Sequence, residues 1–338
     1  MGLLINTKHL EMTKLPLYPL KFQPILKDKI WGGTKLKSVL NKPTNSPDCG
    51  ESWEISGVPG DISIIAEGAL KGKSLVELIE IYEGDLVGNS VFEKFKTNFP
   101  LLIKFIDANQ DLSIQVHPGN KMAKERHNSF GKTEMWYVVD AEKEANLIAG
   151  FNKPTSKEEY LAYFNTGKLT ELLNKEQVEN DDVFFLPAGR VHTIGKGLLI
   201  AEIQQTSDIT YRIYDFDRKD AQGNTRELHV EEAVDAIDYK FYGKYKTEYN
   251  KEAQEVELES CAYFTTNKLL IEGTTSRNYK NADSFIVLMC LQGEGEITYG
   301  GNSLPYLLGD TILIPNQLNG VVINPSLGTK FLEVYVPS

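Results

Sequence analysis

The chain has 338 residues, 41% hydrophobic and 25% charged, a composition of an ordinary folded protein with ample material for a core. Its balance of 36 basic and 47 acidic side chains, net −11, excludes the basic footprint of a nucleic-acid binder and argues weakly against an anionic substrate. Apolar runs fall short of the roughly 20 residues a membrane helix needs. The three cysteines (Cys49, Cys261, Cys290) are too few and too scattered for a disulfide framework. With no leader-like segment read at the N-terminus, the expectation is a cytoplasmic protein with reduced thiols.

In chain order, short apolar segments broken by Gly, Pro and Asn predict strands at 52–56, 62–66, 101–106, 112–117, 135–139, 146–150, 183–187, 198–205 and 209–214. Helical periodicity is expected over 73–97, with a break near Gly84. It is expected again over 155–178, capped by Ser or Thr after Pro154, and over 229–245. Strands so closely spaced suggest a barrel or sandwich rather than a parallel sheet with crossover helices.

A faint internal repeat is present. Asp182-Val-Phe-Phe-Leu-Pro187 is echoed by Asp310-Thr-Ile-Leu-Ile-Pro315, each after a strand and a turn. This pattern resembles the cupin fold, a small jelly roll. The chain is expected to be mainly β: two tandem cupin jelly-roll barrels with helical insertions. Residues 1–245 would form a catalytic barrel, with insertions near 73–97 and 155–178 and a helical connector at 229–245. Residues 246–338 would form a second barrel.

The two copies differ in chemistry. In Leu112-Ser-Ile-Gln-Val-His117, strand alternation puts Ser113, Gln115 and His117 on one face. Three polar groups facing a barrel interior are costly unless satisfied, and a metal ion would satisfy Gln115 and His117 together. Glu134 opens the next strand, and His192 lies five residues after Pro187. This nitrogen and oxygen ligand set suits Zn²⁺ well and other divalent ions tolerably, and one ion per chain is expected. Aligning the copies on Gly293 and Pro315 puts Ile286 opposite Glu134 and Gly320 opposite His192, so the second barrel is expected to bind no metal. Of the other histidines, His127 is expected to be exposed and His229 to cap a helix or face solvent, while His9 carries no reading.

With these segments in view, the chain is similar to the type I mannose-6-phosphate isomerases of the shorter bacterial kind. The resemblance rests on Ile30-Trp31-Gly32-Gly33-Thr34-Lys35-Leu36, Gly50-Glu51-Ser52-Trp53-Glu54-Ile55-Ser56, Pro100 to Asp107 and Leu112 to Pro118. It continues through Gly131-Lys132-Thr133-Glu134, Pro187 to His192, Glu202 to Asp208 and Thr210 to Asp215. It runs from about residue 20 to 220 and is looser beyond. It implies a zinc enzyme interconverting mannose 6-phosphate and fructose 6-phosphate through an enediolate. Gln115, His117, Glu134 and His192 would be the metal ligands, and Arg212, Lys132 and Glu202 the catalytic residues. Ser113, Lys104 and Trp31 would contact the sugar phosphate, and Met135 would point away from the metal.

Arg212 would grip phosphate or steady the enediolate. Lys132, its pKa lowered by the nearby ion, would shuttle protons. The base for C1/C2 transfer stays open among Glu202, Lys132 and water on the zinc. Glu202 also has the simpler reading of a salt bridge to Arg212. The ion with Lys104, Lys132 and Arg212 outweighs Glu134 and Glu202, so a basic pocket is expected inside an acidic protein. Two other functions remain: a metal-dependent cupin oxygenase and a sugar-binding bicupin without turnover. Oligomeric state is not readable.

Overall fold

A computed structural model describes residues 14–220 and 222–337. The first part of the chain contributes β1 (Leu20–Lys21), β2 (Ile25–Gly33), β3 (Cys49–Ile55), β4 (Leu101–Ala108), β5 (Ile114–Val116), β6 (Glu134–Ala141) and β7 (Asn146–Phe151). These are followed by β8 (Leu173–Gln177), β9 (Val183–Leu186), β10 (His192–Ile194), β11 (Leu198–Gln205), β12 (Tyr211–Tyr214) and β13 (Lys246–Thr247). The rest supplies β14 (Glu255–Ser260), β15 (Thr265–Ile271), β16 (Thr275–Asn278), β17 (Ile286–Tyr299), β18 (Asn302–Leu307), β19 (Thr311–Ile314) and β20 (Gly320–Tyr335).

Antiparallel pairing builds the first barrel from two sheets. A seven-stranded sheet runs β13-β9-β6-β11-β4-β3-β2, and a five-stranded sheet runs β12-β5-β10-β7-β8. Between them Ile106, Trp136, Val138, Phe184 and Ile200 pack on Leu147, Ala149 and Ile194. The second barrel is one eight-stranded sheet around a core of Ile286, Leu288, Ile297, Ile312, Ile323 and Phe331. β1 joins this second sheet, with Leu20 opposite Leu313.

Alternation explains how the barrels meet. The outer face of the seven-stranded sheet carries Ile103, Phe105, Met135, Tyr137, Ala201 and Ile203. These bury against Val287, Met289, Leu332 and Val334 of the second sheet in one continuous apolar cluster. β11 is therefore buried on both faces, which is why its first half, Leu198–Ala201, reads as an unbroken apolar run. Met135 points into this cluster, away from the barrel interior, as expected.

The segment 73–97 forms three short helices: α1 (Leu75–Tyr82), α2 (Gly84–Val87) and α3 (Asn89–Phe95). The first opens on a capping box: Ser74 Oγ accepts from the Glu77 N–H at 3.2 Å, and Glu77 accepts from the Ser74 N–H at 2.8 Å. The other helical expectations need correction. Over 155–178 the helix stops at Asn165, Gly167 turns the chain at a φ of +71°, and Leu173–Gln177 is a strand. Over 229–245 the helix covers only Val230–Ala236; beyond it Tyr239 stacks on Phe151 and Tyr245 bonds the Phe151 backbone. The expected strand 62–66 forms only two isolated bridges, from Ile64 and Ile65, with Ile65 buried in the shared cluster. The helix Asn120–His127 was not anticipated. No described helix is long and apolar enough to cross a membrane.

Candidate active site

The site lies inside the first barrel, where β5, β6 and β10 bring distant residues together. Gln115 on β5 pairs directly with His192 on β10. Glu134 heads β6, and His117 follows β5 by one residue. His117, Glu134 and His192 are buried, and their ligand atoms lie within 4.8 Å of one another. His117 Nε2 is 3.5 Å and His192 Nε2 3.3 Å from the Glu134 carboxylate. Gln115 places its amide 3.3 Å from His192 Nε2. Turning that amide over would put Oε1 in the same place.

Both imidazoles are oriented from behind. His117 Nδ1 bonds the Ile209 carbonyl at 2.9 Å, and His192 Nδ1 bonds the Arg190 carbonyl at 2.8 Å. A carbonyl only accepts, so each Nδ1 carries the proton and each Nε2 presents a lone pair to the site. Burial and the Lys132 charge hold His192 neutral by lowering its pKa to about 3, and His117 is pushed down by the same two causes. Burial drives Glu134 up, against the pull of Lys132. Its Oε1 has no hydrogen-bond partner among the described residues. Two neutral imidazoles and a carboxylate oxygen left over in a dry site fit a divalent cation. The Lys132 ammonium contacts Glu134 Oε2 and sits 3.0 Å from His117 Nε2, so it neutralises these atoms itself.

Beside this cluster opens a cavity of about 390 Å³. Trp31, Lys104, Ser113, Gln115, Lys132, Glu202 and Arg212, seven of the residues singled out from the sequence, line it. Its wall holds six basic side chains (Lys27, Lys29, Lys104, Lys132, Arg212, Arg226) against four carboxylates (Glu51, Asp61, Glu202, Asp208), so the pocket is basic inside an acidic chain, as expected. Ser113 Oγ donates to Gln115 Oε1 at 3.4 Å.

Lys104 and Glu202 stand opposite each other on β4 and β11 and form a buried ion pair at 3.1 Å. Trp136 Nε1 adds a hydrogen bond to Glu202 at 2.8 Å. Burial opposes the Glu202 charge, but Lys104 and Lys132 outweigh it and hold the pKa well below the usual range. Lys104 is likewise penalised by burial and raised on balance by Glu202 and Glu51. Glu202 is therefore paired with Lys104, and the simpler reading of a bridge to Arg212 is wrong. Arg212 faces Gln115 across the β5–β12 ladder and donates to the Glu227 carbonyl at 2.8 Å. Its Nε is buried with no partner among the described residues.

Sequence reasoning singled out Trp31 but missed the rest of the wall formed by β2 and β3. Lys27, Lys29 and Trp31 alternate on β2; Glu51 and Trp53 alternate on β3. Trp53 Nε1 donates to Glu51 at 2.7 Å, and Lys29 pairs with Glu51 at 3.2 Å. The period of two in these segments was the available signal. His127 is exposed, as expected, and meets the Tyr211 hydroxyl at 2.7 Å. His229 precedes its helix but its side chain does not cap it; its Nδ1 accepts from the Arg212 N–H at 3.2 Å. His9 lies outside the described residues.

Residues 19–150 match the family model described as phosphomannose isomerase type I, catalytic domain, and residues 254–328 match the mannose-6-phosphate isomerase cupin domain. The chain is 38% identical over 307 residues to mannose-6-phosphate isomerase ManA of Bacillus subtilis, covering 89% of this chain and 94% of that one. It is 39% identical over 305 residues to mannose-6-phosphate isomerase of Streptococcus mutans, covering 89% and 93%. The crystal structure of a Bacillus subtilis mannose 6-phosphate isomerase superposes with a TM-score of 0.83 at 34% identity, covering 94% of this chain and 99% of that one. The chain belongs to the type I phosphomannose isomerase family, and its fold is that of a mainly β protein with cupin barrels.

Proposed function

We propose that this protein is a zinc-dependent aldose–ketose isomerase that interconverts mannose 6-phosphate and fructose 6-phosphate. The observation that carries the reading is the adjoining pair of features in one barrel: a buried His117–Glu134–His192 cluster and a basic cavity lined by Lys104, Lys132 and Arg212. We assign residues up to about 245 to this catalytic unit and the remainder to a metal-free barrel.

His117 and His192 through Nε2, Glu134 and Gln115 would hold the ion. Zinc, when bound, supplies a Lewis acid that stabilises negative charge on the sugar oxygens. The chain's own groups do the rest. Isomerisation removes a weakly acidic C–H beside a carbonyl and returns the proton one carbon away, so the site needs proton carriers and fixed positive charge. Among the titratable groups on the cavity wall, we assign Lys132 and Glu202 as the proton carriers. Glu202 accepts a proton poorly while Lys104 stays paired with it, so movement of Lys104 toward a substrate phosphate would raise its basicity. Arg212, with one guanidinium edge tied to the backbone, balances charge developing on O1 and O2. Ser113 and Lys104 receive the phosphate, and Trp31 closes the cavity against water.

A coupled assay of mannose 6-phosphate turnover tests the reading. The wild-type protein turns over, and Arg212→Ala and His192→Ala lose activity. Full activity in both variants places the chemistry elsewhere.

A further inference from the structure

The second barrel repeats the ladder of the first with other side chains. Glu333 lies opposite Asn267 and Leu288, as Glu202 lies opposite Lys104 and Trp136. Arg277 lies opposite Val321, as Gln115 lies opposite His192. Ile286 lies opposite Ile314, as Glu134 lies opposite Leu186. The places of the metal ligands are thus taken by Arg277, Tyr279, Ile286 and Val321, while the carboxylate of Glu202 has its counterpart in Glu333.

A cavity of about 530 Å³ opens at this place. Glu333 is 2% exposed at its wall. Arg277 grips it through Nε at 3.1 Å and Nη2 at 2.7 Å, and the same guanidinium holds Glu255 at 2.8 and 3.0 Å. The Tyr279 hydroxyl donates to Glu333 at 2.7 Å and the Asn267 amide at 3.3 Å. Ser260 and Thr265 add hydroxyls to the lining.

A buried ion pair stabilises a fold little better than apolar side chains of the same volume. The core directly beneath is apolar, so stability alone gives no reason for this polar wall. Its charge is also specific: one guanidinium faces two carboxylates, a poor host for phosphate. The carboxylates keep spare lone pairs that accept, the amides and the guanidinium keep N–H groups that donate, and a tyrosine ring adds an apolar face; together they form the mixed acceptor and donor set that vicinal hydroxyls of an uncharged ring require.

We propose that the second barrel binds a neutral, unphosphorylated pyranose in this cavity, at a site separate from the catalytic one. The inference is independent of the isomerase reading.

Calorimetric titration of the full chain with the methyl pyranosides of mannose, glucose and galactose tests it, since these are closed rings without phosphate. At least one binds saturably at one site per chain. Asn267→Ala weakens it about tenfold, the worth of roughly one hydrogen bond. Glu333→Gln, which removes the central acceptor, abolishes binding; Thr265→Val, which also weakens it, is a second probe should Glu333→Gln fail to fold, and unchanged isomerase turnover in Asn267→Ala certifies an intact chain. Arg212→Ala leaves binding intact. Absence of saturable binding for all three sugars overturns the proposal. So does binding that survives the second-barrel substitutions and vanishes in Arg212→Ala. Inorganic phosphate binding that is lost in Arg277→Met overturns the neutral class of ligand.

Discussion

Glu134 Oε1 lies 3.3 Å from His192 Nε2 and accepts no hydrogen bond from any described residue. In a site this buried, an oxygen without a donor beside a nitrogen lone pair is costly until a cation joins them. His192→Ala removes one of the two imidazoles. Metal bound per chain, read by elemental analysis after dialysis, falls well below the wild-type value, and turnover falls at least about 100-fold.

Lys104 and Glu202 give a stability prediction. Both are buried and each is the other's principal charge partner. Lys104→Met strands a buried carboxylate and costs about 3–5 kcal/mol in denaturant unfolding. Lys104→Met combined with Glu202→Leu recovers most of that loss, because no charge is left buried alone. If the double variant is as unstable as the sum of the single ones, the pair is not coupled as its geometry indicates.

The histidines set a pH dependence in the metal-stripped protein. His192 has its folded pKa lowered to about 3, against about 6.5 in an unfolded chain. The unfolded state therefore binds the extra proton between these values. The stability contributed by neutral His192 is full above about pH 6.5 and is lost as pH falls toward 3. His117 is shifted in the same direction. Glu134, raised by burial, works the opposite way, losing stability as pH rises above its unfolded value, but it is one group against two. The denaturation midpoint of the stripped protein accordingly drops from pH 7 to pH 5, and His192→Gln makes that drop smaller.

The barrels are also latched through one carboxylate. Asp283, from the second barrel, accepts from the Asn89 N–H at 2.7 Å and the Ser90 N–H at 3.0 Å, at the start of α3. Asp283→Ala costs about 1–2 kcal/mol, as loss of a helix cap does. Gly88 precedes that helix at a φ of +93°, and a Cβ there would lie 2.0 Å from the Asp283 carbonyl. Gly88→Ala therefore lowers the melting temperature more than Asp283→Ala does.

Much of this architecture was written in short-range pattern. Asp182–Pro187 and Asp310–Pro315 form equivalent strands, and the expected match of Ile286 with Glu134 holds in the ladders, where they face Ile314 and Leu186. Period-two alternation also delivered Ser113, Gln115 and His117 to one site. Counting failed one residue later: the side chain facing inward at the place of His192 is Val321, not Gly320, because the turn Asn316–Leu318 spends one more residue after Pro315. The Lys104–Glu202 pairing was also hidden. It depends on the register of two strands nearly a hundred residues apart, which nothing local encodes. The 155–178 and 229–245 segments show the same limit, since their apolar residues meet packing partners that override helical periodicity.

The central claim is a single catalytic metal in the first barrel, and titration of stripped protein with zinc during the mannose 6-phosphate assay tests it most directly. The predicted result is negligible activity without metal, rising linearly with added zinc and breaking at one equivalent per chain. Full turnover by protein free of metal, or a break at two equivalents, would contradict it.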